Sequence, residues 1–595
     1  MRPKLIAAIV LLVALMGFGA YHFWPDSVEQ SSDSQDTTNT GHTVIRAPDE
    51  SVDDKLVDPK NDSWPAEVAH EEIKKQLKKL GEAIQSGQAS KLPAFATETF
   101  EASHTPATKS VFSDGAISVN RSDTAPGKQH SSLDSFINRF TGAMRVDLCA
   151  FKVVNIDIQP DFVMTNVLVE MRSVDASETS TQLNANWQCR WERSKSPILK
   201  SIQVDNFERV EGPASRLFAD VTQAVLGNTV DYKEHVLRGI DHWCERIPSI
   251  DDMRIFGHHG IAIGDVNGDG LDDVYVCDAG GLPNRLYIRN ADGTATDASS
   301  SSKTDWLEAT TSALLVDLDG DGDRDLVAAT VAGIVFAENN GKGVFQPRNA
   351  IPSTPEAHSM CAADYDNDRD LDIYICNYGA SRGPGSKRGY EATAPVPYND
   401  ANNGGANFLL QNNGQFQFKD VAKEVGLDHN NRRFSFAASW EDFDRDGDVD
   451  LYVANDFGRN NLYENLNGRF IDIAASANVE DMAGGMSAVW SDVNRDGYAD
   501  IYVGNMFSAA GNRVTFQRQF TDRHSDASAG MQRMARGNTL FASNGNGTFR
   551  DISETAGVTM GRWAWGSRFA DLNNDGWDDI LVANGYFTND NSNDL

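Results

Sequence analysis

Apolar positions change their spacing several times along this chain, and each spacing predicts a different kind of element. Leu5 to Trp24 is an apolar run behind Arg2 and Lys4, close to the ~20 residues that span a membrane core. Residues 26–64 have no apolar periodicity and are rich in Ser, Asp, Thr and Pro, the composition of a disordered acidic linker. From Pro65 a helical spacing begins: Ile73, Leu77, Leu80 and Ile84 share one face and Gly87 ends the run. A second helix is predicted over 132–144, with Leu133, Phe136, Ile137 and Phe140 inward. Alternating runs over 146–158, 161–172, 182–193 and 198–210 then predict antiparallel strands. Helices followed by long strands make 65–212 an α+β domain. Leu217, Val221, Val225, Val236, Leu237 and Ile240 predict a helical connector over 213–254. From 255 to 595 the pattern shortens to mainly β: strands of a few residues, Gly/Asn/Asp turns and a repeat.

The repeat is a nine-residue loop that occurs six times, beginning at residues 265, 317, 364, 442, 492 and 571. The starts are 52, 47, 78, 50 and 79 residues apart, which is a period near 50 with two insertions. Positions 1, 3, 5 and 9 carry side-chain oxygens in every copy. They are Asp265, Asn267, Asp269 and Asp273; Asp317, Asp319, Asp321 and Asp325; Asp364, Asp366, Asp368 and Asp372; Asp442, Asp444, Asp446 and Asp450; Asp492, Asn494, Asp496 and Asp500; and Asp571, Asn573, Asp575 and Asp579. Oxygens at alternate residues of a tight loop suit a hard cation that takes six to eight ligands, and glycine at position 6 permits the sharp turn. Calcium (Ca2+) fits better than magnesium, which keeps its waters, so up to six calcium sites are expected. An EF-hand would need a helix on each side and Glu at position 12. Position 12 of the first loop is Val276 within a strand-like VYV, so each loop joins two strands instead. The third loop departs from the pattern, with Arg369 in place of glycine.

Two further columns emerge from the alignment. Four residues past each final Asp stand Cys277, Ala329, Cys376, Ala454, Gly504 and Ala583, all small; the next column is polar, with Asp278, Thr330, Asn377, Asn455, Asn505 and Asn584. Crowded strand packing followed by a side chain that bonds the turn backbone explains both. A second hairpin follows in each unit, as in NNLYENLNGRFIDIA (460–474), NRLYIRNADGT (284–294), NFLLQNNGQFQFKDVA (407–422) and NTLFASNGNGTFRDIS (538–553). Two hairpins per unit make a four-stranded blade, and blades arranged radially form a propeller.

FG-x-x-GIAIGDVNGDGLDD (256–273) and its five partners resemble FG-GAP repeats, the calcium-loop propeller units of integrin α-chain heads and of the cartilage acidic protein family. The resemblance covers about residues 255–588. It implies a six- to seven-bladed FG-GAP β-propeller with calcium loops as structural clips on one rim. The 65–212 pattern resembles the nuclear-transport-factor-two-like cone fold, whose members include pocket enzymes and association domains.

Charge and composition narrow the partners. A formal charge of -33, from 53 basic and 86 acidic residues, repels nucleic acid and anionic membrane surfaces and favours cations. The N-terminal run (1–25) is a signal-anchor or a cleaved signal peptide. Tyr21, Phe23 and Trp24 resemble an interfacial aromatic belt, and either reading puts the bulk outside the cytoplasm, tethered to the membrane or secreted. Six cysteines with no CxxC give no zinc or redox motif, though Cys149 and Cys189 could pair in such a compartment. The insertions at 378–406 (Arg382, Lys387, Arg388) and 506–537 (Arg513, Arg518, Arg523, Arg533, Arg536) are local basic patches and candidate recognition loops. His258 and His259 read as turn residues, and Trp563 and Trp565 as core. No nucleophile elbow, HExxH or P-loop is present. The leading expectation is a non-catalytic binding or adhesion module for a protein or glycan. A hydrolase or other enzyme with a site in the propeller channel, or small-molecule binding by the α+β domain, stand as alternatives.

Overall fold

The computed structural model describes residues 64–585 apart from 104–107, 123–128, 143, 215–217, 239–241, 244, 248–259, 353–356, 380–394 and 522–526. The apolar run, the linker up to residue 63, His258, His259, Arg382, Lys387, Arg388 and Arg523 lie outside the described residues. Among the described residues no helix is long and apolar enough to cross a membrane. The chain divides into two compact units, Met1–Phe218 with Ala509–Ser525, and Ala219–Ser508 with Asp526–Leu595.

In the first unit, helix α1 (Pro65–Gln85) starts on a proline, whose fixed φ suits the first turn, and buries Ile73, Leu77, Leu80 and Ile84. Helix α2 (Leu133–Thr141) stops three residues short of expectation because Gly142 takes a left-handed φ of 64° and caps it. The four expected strands are β5 (Leu148–Ile158), β6 (Phe162–Val174), β7 (Thr179–Glu192) and β8 (Leu199–Pro213). Four earlier ones were not anticipated: β1 (Ala96–Ser103), β2 (Thr108–Ser113), β3 (Ser118–Ser122) and the two-residue β4 (Gln129–His130). Sheet order is β2-β3-β8-β7-β6-β5, with β1 parallel to β8. All six residues of β2 are exposed, so it carries no alternating apolar signal. The core packs Phe136, Phe140, Phe207 and Trp187 edge to face at ring separations of 5.3 Å. Cys149 and Cys189 are free thiols; β6 separates their strands, so the pairing entertained from sequence does not form.

Segment 509–521 belongs to this unit. Arg513, on helix Ala509–Thr515, reaches Glu67 of α1 with Nη2 at 2.8 Å and Nε at 3.0 Å from its carboxylate oxygens, and both side chains are buried. Gln517 Nε2 donates to the same carboxylate at 3.3 Å.

The second unit is mainly β. Its first sheet is β9 (Ile261–Gly264), β10 (Asp273–Val276), β11 (Arg285–Arg289) and β12 (Ala295–Asp297), each antiparallel to the next. Four more four-stranded sheets follow over 310–351, 357–420, 435–472 and 485–551, and a two-stranded one pairs Ala564–Ala570 with Asp579–Asn584. The first strands of successive sheets lie side by side, and each apolar core is shared by two neighbouring sheets. One such core joins Tyr275 and Leu286 to Leu315, Leu326 and Phe345; another joins Tyr374 and Leu409 to Leu451 and Tyr463. Stacked antiparallel sheets with face-to-face cores are consistent with a β-propeller.

From the second sheet onward, every first strand carries a β-bulge at the same place, at Thr311, His358, Phe436, Met486 and Trp565. A bulge re-aims its side chain. Here it stacks His358 on Phe436 at 5.0 Å and brings Phe436 within 5.9 Å of Trp565, which is half-buried, whereas Trp563 is core. The 219–247 stretch, expected to be one helical connector, forms short helices Thr222–Leu226 and Val230–Glu234, because Gly227 ends the first and Thr229 caps the second. It packs on the first sheet through Asp231, which pairs with Arg285 at 2.6 Å and accepts from Tyr287, and through His235, 2.6 Å from Asp278.

Candidate metal centres in the six loops

Each loop joins the first and second strands of a sheet, as the spacing predicts. Its shape is set by left-handed backbone at two positions. Position 6 has φ between 78° and 97° in all six copies, and Arg369 adopts 78° without being glycine. Position 4 was not recognised from sequence, yet it also lies between 58° and 76° at Gly268, Gly320, Asn367, Arg445, Arg495 and Asn574. Two such residues fold the chain so that amides point inward at the first carboxylate. In the first loop, Asp265 accepts from Gly268 N at 2.8 Å and from Gly270 N at 2.8 Å. Asp364, Asp442, Asp492 and Asp571 take the position 6 amide in the same way.

Position 9 is the buried anchor. Asp273, Asp325, Asp372, Asp450 and Asp500 are fully buried, and each accepts one N–H from loop position 2 and another from the third strand. For Asp450 the donors are Phe443 at 3.3 Å and Asn465 at 2.8 Å. Burial, with neighbouring carboxylates adding to it, pushes Asp325 and Asp372 up to about 7 and Asp450 up to about 8 against the pull of those amides. Asp273 and Asp500 are raised for the same first reason.

Positions 1, 3 and 9 converge in three loops. Carboxylate oxygens of Asp317, Asp319 and Asp325, of Asp364, Asp366 and Asp372, and of Asp442, Asp444 and Asp450 lie within 4.8 Å of one another. In the other three loops position 3 is Asn267, Asn494 or Asn573, so one charge is missing. Position 5 (Asp269, Asp321, Asp368, Asp446, Asp496, Asp575) turns one oxygen back to the amide of position 7. Asp366 Oδ1 and Asp442 Oδ1 are buried with no hydrogen-bond partner. A buried anionic oxygen without a donor is costly, and a cation among the three carboxylates would remove that cost. The donor set therefore fits a hard divalent ion.

The two columns past the loop behave as expected in the first five copies, whereas Ala583 and Asn584 of the sixth are exposed. Cys277, Ala329, Cys376 and Ala454 are fully buried, and a Cβ on Gly504 would collide with the hydroxyls of Ser487 and Ser567. In the polar column, Thr330, Asn377 and Asn455 bond the carbonyls of Gly333, Ala406 and Arg459, closing the turn after the second strand. The three arginines of the second insertion whose side chains are described are not free cations; the side chain of Arg518 and all of Arg523 lie outside the described residues. Arg513 is bound to Glu67, Arg533 to the buried Asp481 at 2.9 Å, and Arg536 to Asp551 at 2.8 Å. Their acidic partners lie outside the insertion, at 67, 481 and 551, so the local sequence carries no signal of such distant pairs.

Comparison with known proteins agrees with this geometry. The FG-GAP-like repeat family model matches residues 265–328, 317–375, 442–503 and 522–582, which together contain all six loops. Cartilage acidic protein 1 of Xenopus tropicalis is 32% identical over 141 residues, a stretch that covers 22% of this chain and 21% of that protein. The match thus spans about a fifth of that relative's length. Six loops of one design between paired strands, each at the start or the end of a matched segment, show that this chain carries FG-GAP-like repeats between residues 265 and 582.

Proposed function

We propose that the second unit is a calcium-clipped β-propeller, its six sheets serving as blades, and that it works as a non-catalytic binding or adhesion module for a protein or glycan outside the cytoplasm. The observation that carries the metal assignment is the convergence of three carboxylates at equivalent positions of three loops, two of them with an orphaned buried oxygen. Calcium would be held by positions 1, 3, 5 and 9, and it would supply the positive charge that lets the buried position 9 carboxylate stay ionised between two strands. The surrounding amides already orient those carboxylates. The role is structural, so recognition falls to surfaces away from the Asp residues. Residues 1–25 would act as the membrane tether or secretion signal. Residues 65–212, with helices ahead of four long antiparallel strands, support the nuclear-transport-factor-two-like reading and an auxiliary association role.

The test is melting of the full chain in millimolar calcium and in excess chelator. Each site that fills stabilises the fold by about 1 kcal/mol if its affinity is in the range usual for extracellular modules. Coincident melting curves would overturn the metal assignment. A screen of glycans and surface proteins against the calcium-loaded chain tests the binding role, and failure to retain any ligand there would count against it.

A further inference from the structure

Three buried asparagines tie the loops to one another. Asn339, Asn412 and Asn465 end the third strands of the second, third and fourth sheets. Each sends its backbone N–H to the position 9 carboxylate of its own loop: Asn339 to Asp325, Asn412 to Asp372 and Asn465 to Asp450, all at 2.8 Å. Each sends its Nδ2 to the position 2 carbonyl of the preceding loop: Asn339 to Val266 at 2.8 Å, Asn412 to Leu318 at 2.9 Å and Asn465 to Tyr365 at 2.8 Å. The position 2 residue in turn donates its own N–H to its position 9 carboxylate, as Leu318 does to Asp325 at 3.0 Å and Tyr365 to Asp372 at 3.4 Å. Peptide, carboxylate and asparagine thus alternate without a break from the first loop to the fourth. The fifth sheet has Ser543 at the same place. Its N–H reaches Asp500 at 2.7 Å and its hydroxyl caps the hairpin turn at Gly545, but its side chain is too short to bridge to the preceding loop.

The geometry points to Asn339, Asn412 and Asn465 as positioning residues that couple metal binding in adjacent loops. This inference rests on the metal assignment above. An ion that fixes the position 9 carboxylate of one loop also fixes its position 2 peptide. The asparagine gripping that peptide is then held in place, and its N–H holds the next carboxylate ready. A loop beside a filled one has less ordering left to do, so it binds more tightly.

The experiment follows hydrogen exchange of the loop-two peptide (317–325) during calcium titration of the full chain. Asp368→Ala disables loop three. In the otherwise unaltered protein it should raise the calcium concentration that half-protects loop two by about fivefold or more. In an Asn412→Ser background the same lesion should leave loop two unmoved. Serine is the residue the fifth sheet uses at this position, so the fold should tolerate it, and Asn339→Ser provides a second variant that separates loop one from loop two. If loop two ignores the lesion in the unaltered protein, or responds equally in the Asn412→Ser background, the coupling is wrong while the metal sites stand, because loop two still gains protection from calcium. If calcium protects no loop at all, the metal assignment itself fails, and the coupling with it.

Discussion

Left-handed backbone at Arg369 has a measurable cost. A non-glycine residue there costs about 1–2 kcal/mol relative to glycine, and its charge stands in a loop we propose to hold a cation. Arg369→Gly should therefore stabilise the calcium-loaded protein by about 1 kcal/mol, read from denaturant midpoints at constant slope. Asp456 offers a second residue-scale test. Burial raises its carboxyl to about 7, against the opposing pull of the Tyr378 hydroxyl 2.6 Å away. An unfolded carboxyl titrates near 4. Between ~4 and ~7 the folded chain keeps a proton that the unfolded chain has released, so this group's contribution is complete below ~4 and is lost as the pH rises through ~7. Relative to Asp456→Asn, the parent protein should lose stability over that window, on the order of a few kcal/mol. A difference in melting temperature that does not change with pH would refute the shift. Residues with a chemical signature, such as the loop carboxylates, were visible in sequence. Position 4 was not, because glycine, asparagine and arginine share that backbone and no side-chain chemistry.

At the scale of elements, adjacent sheets meet closely enough that one methyl group matters. Gly504 lies against Ser487 and Ser567, whose hydroxyls bond each other at 2.8 Å. Gly504→Val should cost about 1–3 kcal/mol by overpacking, and Ser567→Ala in addition should recover part of that, which thermal melts of the two variants would show. Arginine stacks join neighbouring loops on the same scale: the Arg445 guanidinium lies 4.6 Å from the ring centre of Tyr498, and that of Arg495 3.6 Å from Trp577. Glycines at position 6 of the loops carrying those rings leave room for them, since a Cβ on Gly497 would sit 3.1 Å from Arg445 and one on Gly576 3.3 Å from Arg495. The paired strands and hairpins of the repeat were legible because six copies reinforce one period. Strands β1–β4 were not, since they are short, exposed or irregular and occur once.

For the molecule as a whole, the least legible feature is the assignment of 509–525 to the α+β unit. The segment's helix packs on β5 and adds an ion pair between residues 446 positions apart, neither of which leaves a periodic trace. Truncating Arg513 would leave Glu67 buried and unpaired, so Arg513→Ala should destabilise that unit by about 3–5 kcal/mol. Adding Glu67→Gln should restore part of the loss, and equal melting of the single and double variants would argue against the pairing. Deletion of 509–525 should produce the same destabilisation, which separates this segment's structural role from recognition.

The reach of Asn339, Asn412 and Asn465 into the preceding loop also decides where this array can be cut. A sheet of four strands looks like the natural cassette, but a cut behind the third sheet would strip Tyr365 of the amide that Asn465 supplies to its buried carbonyl. The boundary that severs no such bridge lies between the fourth and fifth sheets, where Ser543 stands in place of asparagine. Truncations and circular permutations at that boundary should keep the first three loops intact, whereas cuts at the earlier sheet boundaries should leave a frayed terminal loop.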